Sequence, residues 1–144
     1  MREILFRGKR VDNGEWIEGM LTKETIEKPS ATEVRYKIQE FCIGFLDEWT
    51  FEPTYTSGFD DEVIPKTIGQ YTGLTDLNGK KIFEGDIVKA TGTNDHIGYV
   101  TFEYGRFITR CTCHPKSVCD IHPPIEEVIG NIHDNVELLT AERG

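Results

Sequence analysis

The residues of this chain best suited to chemistry are cysteines and histidines in two short motifs, Cys-Thr-Cys-His at 111–114 and Cys-Asp-Ile-His at 119–122. Thiolates and imidazoles are the ligands that zinc prefers in tetrahedral protein sites. The candidate Cys3His set is Cys111, Cys113, Cys119 and His122, with His114 as the alternative histidine. The Cys-x-Cys spacing is tighter than in most zinc motifs, so idle thiols in a loop between strands are the competing interpretation. A zinc ion here would be structural, because no general base accompanies the cluster.

Other catalytic arrangements are missing from the sequence. The serines at 30, 57 and 117 do not stand in a nucleophile elbow, and no glycine-rich phosphate-binding loop occurs. The acidic runs at 60–62 and 126–127 indicate solvated surface, because neighbouring residues on a strand face opposite ways. We therefore predict a protein that is not an enzyme.

The charge balance disfavours a general affinity for nucleic acids. The chain has 25 acidic and 16 basic residues among 144, giving a formal net charge of -9, whereas phosphate neutralisation by cations dominates nucleic-acid binding. Lys80, Lys81 and Lys89 form one modest basic candidate, but solvated lysines beside a turn are the better interpretation. A nucleic-acid-associated β-barrel module is the alternative left open by the fold pattern, and a basic surface on a protein partner suits the acidity better.

The sequence also bears on the compartment. Its first residues include no apolar signal region, and no run of about 18 apolar residues occurs anywhere. We expect a cytoplasmic protein that does not enter the membrane. Lasting disulfides are rare in that compartment, so the four cysteines call for another account, such as the zinc site.

The elements that would position these residues are β-strands. Alternating apolar residues flank an Asn-Gly turn at 13–14, continue at 34–43, and form a three-strand meander over 86–109, with a closing strand at 128–132 and room for a short helix after Val136. Asn78-Gly79 suggests a type I′ turn, and Glu84-Gly85-Asp86 a second reversal.

Two stretches lack this alternation. Residues 22–32 are charged and interrupted by Pro29, which indicates an exposed loop. Residues 45–62 are an aromatic-rich excursion without a clean period. They either line a pocket or interface or pack onto the protein's own sheet. The aromatic residues of this excursion are Phe45, Trp49, Phe51, Tyr55 and Phe59.

Several of these turns and strands resemble the YopX family, whose members are encoded by phages and prophages of bacteria. The resemblance rests on Gln-Tyr-Thr-Gly-Leu at 70–74, Asn-Gly-Lys at 78–80, Ile-Phe-Glu-Gly-Asp-Ile-Val at 82–88, the opening strand at 2–7 and the closing segment at 127–139. Residues 22–67 and 109–124 carry no family pattern. The resemblance implies a β-rich phage protein, and it implies no mechanism.

Together these observations predict a mainly β chain with hairpins and a small, partly open SH3-like barrel. We expect a single domain over 1–144, with possible subregions 1–67 and 68–144. The expected function is non-enzymatic binding of a protein partner, together with self-association, because unpaired sheet edges and exposed aromatics both favour pairing with another chain. Charge substitution at Trp49 or Phe51 would test an interface in the aromatic segment.

Overall fold

The computed structural model describes residues 3–42, 54–90, 96–111, 118–121 and 126–140. These residues form eleven strands, a 3-10 turn at Pro65–Thr67 and one short helix. The elements are β1 (Phe6–Lys9), β2 (Trp16–Glu27), β3 (Thr32–Cys42), β4 (Thr54–Val63), β5 (Gly69–Thr75), β6 (Lys81–Phe83), β7 (Asp86–Ala90), β8 (His96–Glu103), β9 (Arg106–Cys111), β10 (Val118–Cys119), β11 (Glu126–Asn131) and α1 (Glu137–Thr140).

The chain divides into two compact units, one comprising Ile4–Gln70 and the other beginning at Tyr71. In the first unit the strands follow the antiparallel order β4-β3-β2-β1, and the predicted hairpin of β1 and β2 is confirmed. The sheet curls so that the ends of β1 and β4 meet at one corner, where Arg10 bridges Val63. Its core is a cluster of buried aliphatic side chains, Ile17, Ile38 and Val63.

The prediction of an exposed loop at residues 22–32 is wrong. β2 and β3 instead continue as a long ribbon, paired from Met20–Gln39 to Glu27–Thr32. Residues 22–27 of β2 are mostly exposed, so this part of the ribbon needs no apolar alternation, and cross-strand ion pairs and β-branched residues supply local support. Lys37 contacts Glu24 at 2.8 Å, and Lys28 contacts Glu33 at 2.8 Å.

The prediction of an irregular excursion at residues 45–62 is also wrong for the second half of that range. Thr54–Val63 is strand β4, paired with β3. The pairing shifts register between Gln39 and Phe41, and such an irregularity interrupts the two-residue alternation by which a strand is recognised. Phe45, Trp49 and Phe51 lie outside the described residues.

The second unit is built on a five-stranded antiparallel sheet with the order β10-β9-β8-β7-β11. The predicted meander is its centre: β7 pairs with β8, and β8 pairs with β9. The unit also contains the β5–β6 hairpin, in which Tyr71 opposes Phe83. One core cluster consists of Ile82, Val88, Val100 and Val128, with Ile121 packed against it.

The turns of this unit correct one prediction. The loop after Asp76 has three residues, closed by hydrogen bonds from the Asp76 N–H to the Lys80 carbonyl (2.7 Å) and from the Gly79 N–H to the Asp76 carbonyl (3.0 Å). Only Gly79 of this loop has a positive φ, 82°, so the turn is not type I′. The predicted reversal at Gly85 (φ 92°) is confirmed, and positive φ at consecutive residues occurs instead at Tyr104 (55°) and Gly105 (78°).

The mainly β class and the short C-terminal helix are confirmed. Within the described residues the sheets are not closed into a barrel, and the SH3-like assignment stays a prediction.

Candidate functional site

The described part of the second unit contains a cavity of about 170 Å³ on one face of the five-stranded sheet. All five strands contribute to it. Its lining residues are Val88, Ala90, His96, Gly98, Thr109, Cys111, Cys119 and Glu126.

The register explains why these side chains share a face and why space remains between them. Ala90 pairs with both Glu126 and His96, while Gly98 pairs with Val88 and Cys111. Side chains of directly opposed residues lie on the same side of a sheet. Ala90 and Gly98 are the two smallest of these residues and stand diagonally on β7 and β8, so the sheet has a hollow there.

Gly98 is required by close backbone approach, because a Cβ there would lie 2.5 Å from the Arg110 carbonyl oxygen. A larger residue would have to displace β9. The hollow is therefore fixed by the strand spacing itself.

Two buried polar residues belong to the cavity wall. Thr109 is 5% exposed and Glu126 is 4% exposed. Within the described residues the Thr109 Oγ1 has no hydrogen-bond partner, although burying a hydroxyl in that state costs about 1–3 kcal/mol. The lining of the cavity is therefore mostly apolar, with the two polar residues buried behind it.

The predicted zinc cluster overlaps this wall. The structure brings Cys111 and Cys119 together with their Sγ atoms 3.6 Å apart, and neither is in a disulfide; Cys111 is buried and Cys119 is exposed. Zinc–thiolate bonds of about 2.3 Å in a tetrahedron place two sulfurs about 3.8 Å apart, so the pair is spaced like two ligands of one ion. Cys113, His114 and His122 lie outside the described residues, and no group of three potential ligands converges within them.

Asp76 fixes the position of the strand that carries Glu126. Its carboxylate accepts hydrogen bonds from the N–H groups of Asn78 (2.9 Å), Lys80 (2.8 Å) and Val128 (2.9 Å), and the Leu77 N–H donates to the Glu126 carbonyl at 3.0 Å. Burial raises the pKa of Asp76, but these N–H donors outweigh burial and leave the pKa below its ordinary value.

A second candidate site is the tip of the β8–β9 hairpin. Tyr104 is 90% exposed and Phe102 is 50% exposed, and the Phe102 ring packs edge-to-face on Phe107 with centroids 5.0 Å apart. Arg106, the first residue of β9, forms an ion pair with Asp120 at 2.7 Å. The hairpin thus exposes aromatic side chains at its tip and an ion pair at the start of its second strand.

Sequence reasoning identified Cys111 and Cys119 and missed the rest of both sites. Ala90, Gly98 and Thr109 looked like ordinary strand residues, and Glu126 was taken for solvated surface. Alternation could have placed them on one face, but only the register between distant strands brings them together.

Comparison with known protein families tests the family resemblance that the turn and strand motifs suggested. The family described as YopX protein matches residues 5–140. The chain belongs to the YopX family. No curated protein matches the sequence. The YopX chain is similar in structure to protein EF1440 from Enterococcus faecalis, with 22% identity, a TM-score of 0.49, and coverage of 96% of this chain and 99% of that one.

No helix in the described ranges is both long and apolar enough to cross a membrane.

Proposed function

We propose that this YopX-family chain is a phage- or prophage-encoded, non-enzymatic protein that acts in the bacterial cytoplasm by binding protein partners, the first of which is a second copy of itself. The observation that carries the proposal is the hairpin tip, where Tyr104 is almost fully exposed at a positive φ of 55°.

A tyrosine is energetically unfavourable at that backbone conformation. The left-handed region costs a residue with an ordinary side chain about 1 kcal/mol or more, and Gly or Asn would relieve most of that cost. The ring gains little within its own chain, because it is 90% exposed. The two-residue hairpin turn itself requires the positive φ, so the telling feature is an exposed tyrosine where Gly or Asn would fit better; tyrosine is one of the residues enriched at the energetic centres of protein interfaces.

The tip is also self-complementary in charge. Arg106 and Asp120 are 58% and 67% exposed at their side chains, and Arg106 directly follows the Tyr104-Gly105 turn in the chain. A two-fold symmetric dimer brings the same patch of two subunits together, so the Arg106 of each copy can pair with the Asp120 of the other. This arrangement places opposite charges together despite the net charge of -9.

The substitution Tyr104→Asn tests the proposal, because Asn removes the ring and tolerates the left-handed turn. We expect sedimentation at micromolar concentrations to give a dimer for the wild type and a 16.4 kDa monomer for the variant. Val11→Asn is the matched control, since Val11 is 54% exposed in the other unit and should leave the dimer intact. A wild-type mass of one chain throughout would refute self-association.

If a dimer persists in Tyr104→Asn, the interface lies elsewhere. Charge substitution at Trp49 or Phe51 then tests the aromatic segment expected from the sequence.

A second candidate role, structural zinc binding by Cys111, Cys113, Cys119 and His122, is supported by the 3.6 Å separation of the Cys111 and Cys119 sulfurs. Protein purified without chelators should contain about one zinc per chain and should lose thermal stability with EDTA. Metal-free protein with an unchanged melting temperature would leave the cysteines as ordinary thiols.

A further inference from the structure

We propose that Cys111 and Cys119 are a peroxide-responsive thiol pair, whose sulfurs join in a reversible disulfide that fastens strand β10 to strand β9. The inference is independent of the proposed self-association, which depends on Tyr104. It also goes beyond zinc binding, because it concerns a bond between the two sulfurs themselves. It rests on the separation of the sulfurs, their unequal exposure and the position of β10 in the sheet.

The two sulfurs lie within reach of each other. Their Sγ atoms are 3.6 Å apart, and neither cysteine is in a disulfide. Cys119 pairs with Thr109, which stands two residues before Cys111 on β9, so both cysteine side chains lie on the same side of the sheet. A disulfide bond is about 2.0 Å long, so the sulfurs must approach by about 1.6 Å to form one.

Strand β10 can supply this approach, because it is short and lies at an edge. It consists of Val118 and Cys119, and it is the terminal strand of the five-stranded sheet, joined to β9 by two register pairs. A strand held by so few pairs separates from its sheet more easily than a central strand. Cys111, in contrast, belongs to β9 and also pairs with Gly98 of β8. We therefore expect Cys119 to move and Cys111 to stay in place.

Unequal exposure assigns the two thiols different roles. Cys119 is exposed, so a peroxide in solution reaches its sulfur, whereas Cys111 is 9% exposed. Cysteines that respond to oxidants are solvent-accessible and often have a second thiol beside them that resolves the oxidised form. Cys119 is the thiol that reacts with the peroxide, and Cys111 is the resolving thiol.

The reaction has two steps, with hydrogen peroxide as the oxidant. The Cys119 thiolate attacks one peroxide oxygen, the O–O bond breaks, and a sulfenic acid forms while hydroxide leaves. The Cys111 thiolate then attacks the Cys119 sulfur, the S–O bond breaks, and a second hydroxide leaves as the S–S bond forms. The hydroxides take up the two thiol protons, so two thiols and one peroxide give one disulfide and two waters. Two electrons pass from the sulfurs to the peroxide, and a thiol reductant reverses the bond by exchange.

The bond changes both the sheet edge and the cavity. Both cysteines line the cavity, so the disulfide alters its wall, and the crosslink prevents β10 from separating from β9. Zinc held by these sulfurs would leave, because the thiolate is the form that binds the metal. A reducing compartment such as the proposed cytoplasm keeps the pair as thiols until an oxidant reaches it.

Peptide mass spectrometry under non-reducing conditions locates the bond. Full-length protein purified without chelators is reduced, desalted and treated with hydrogen peroxide, and the remaining thiols are alkylated. One pH near neutrality is used throughout, because the titratable His96 and Glu126 line the same cavity. We expect most chains to contain an internal Cys111–Cys119 disulfide that dithiothreitol removes.

Two outcomes of this experiment would overturn the inference. One is a main product in which the disulfide joins two chains or involves Cys42 or Cys113. The other is a chain without disulfides in which Cys119 has been oxidised to sulfinic acid, since a thiol poised to resolve the sulfenic acid prevents that further step.

Two variants test the roles of the thiols. In Cys111→Ser the sulfenic acid at Cys119 is not resolved, so its labelling by dimedone should rise at least about fivefold over the wild type. In Cys119→Ser the buried Cys111 should be labelled little, and equal labelling in the two variants would refute the assignment of roles. Cys42→Ser is the matched control, because Cys42 belongs to the other unit, and it should form the disulfide like the wild type.

Hydrogen exchange measures the fastening of the strand. Amide exchange in the peptide that contains Val118 and Cys119 should slow at least about tenfold in the oxidised protein. Exchange that is unchanged after the bond has formed would refute the fastening of β10. A disulfide in a monomeric protein would refute self-association and support the thiol pair, and a dimer that forms no disulfide would do the reverse. Zinc is measured in the same preparation, and disulfide formation in metal-free protein would support the thiol pair alone.

Discussion

Replacing Asp76 should strongly destabilise the second unit. Its two oxygens accept three backbone N–H bonds, of which the one from Val128 is buried. Losing a partner leaves a buried donor at a cost of about 1–3 kcal/mol, and the two turn donors, which water can reach, add about 0.5 kcal/mol each. We expect Asp76→Ala to lower the free energy of unfolding by about 3 kcal/mol.

The pH dependence provides an independent check with a definite sign. The pKa of Asp76 is lowered in the folded protein, while an unfolded aspartate titrates near about 3.9. The folded state therefore gains stability from this group above the unfolded pKa and loses that gain as pH falls through the lower, folded pKa. The stability difference between wild type and Asp76→Asn should be full near neutral pH and should shrink below about pH 4.

Urea denaturation followed by fluorescence, at several pH values between 3 and 7, measures both effects. Asp12→Asn is the control, because Asp12 is an exposed carboxylate, 64% accessible, in a turn of the other unit, and it should change stability by less than about 0.5 kcal/mol. An Asp76→Ala protein as stable as the control would refute the role of Asp76 in joining the turn to β11. A pH-independent difference would refute the charge-assisted part of that role.

Three further predictions concern the turns and the thiols. Gly79→Val and Gly85→Val should each lower the free energy of unfolding by about 1–2 kcal/mol, because both glycines have positive φ. Gly79→Asn should lower it less. Equal melting temperatures for the Val and Asn variants at position 79 would contradict this backbone argument. Tyr104→Asn should raise the monomer's free energy of unfolding by about 0.5–1 kcal/mol in urea denaturation, since Asn tolerates the left-handed region; a loss of stability would show that the ring packs within its own chain. Cys119→Ser should remove the bound zinc in elemental analysis if the cluster is metallic, and full retention of zinc would exclude Cys119 as a ligand.

Local sequence predicted the parts of the fold that depend on neighbouring residues. The first hairpin, the meander and the reversal at Gly85 follow from alternation and turn residues. The strand expected at 34–43 is β3, but the extension of β2 through residues 22–27 was missed because these residues are mostly exposed and have no apolar face to reveal them. The type I′ turn was assigned to Asn78-Gly79 because dipeptide preference does not reveal that the loop has three residues, a length set by the pairing of Asp76 with Lys80.

The candidate sites were less predictable, for a related reason. Cys111 and Cys119 were identified by residue type, and their 3.6 Å separation required the pairing of β9 with β10. Glu126 looked like surface because acidic pairs usually are, and its burial follows from β11 pairing with β7, 36 or more residues earlier in the chain. The exposure of Tyr104 likewise depends on which strands its hairpin packs against.

The central claim, that the hairpin tip contacts a second copy of the chain, is tested most directly by a photochemical crosslink from position 104. Tyr104 is replaced by p-benzoylphenylalanine, an aromatic residue that keeps a ring at the tip, and the purified protein is irradiated at micromolar concentration. We predict a covalent species of twice 16.4 kDa, with the crosslink mapped by mass spectrometry to residues 102–107 or 120 of the other copy. Irradiated protein that remains a single chain, while a crosslinker at another site gives dimers, would contradict the claim.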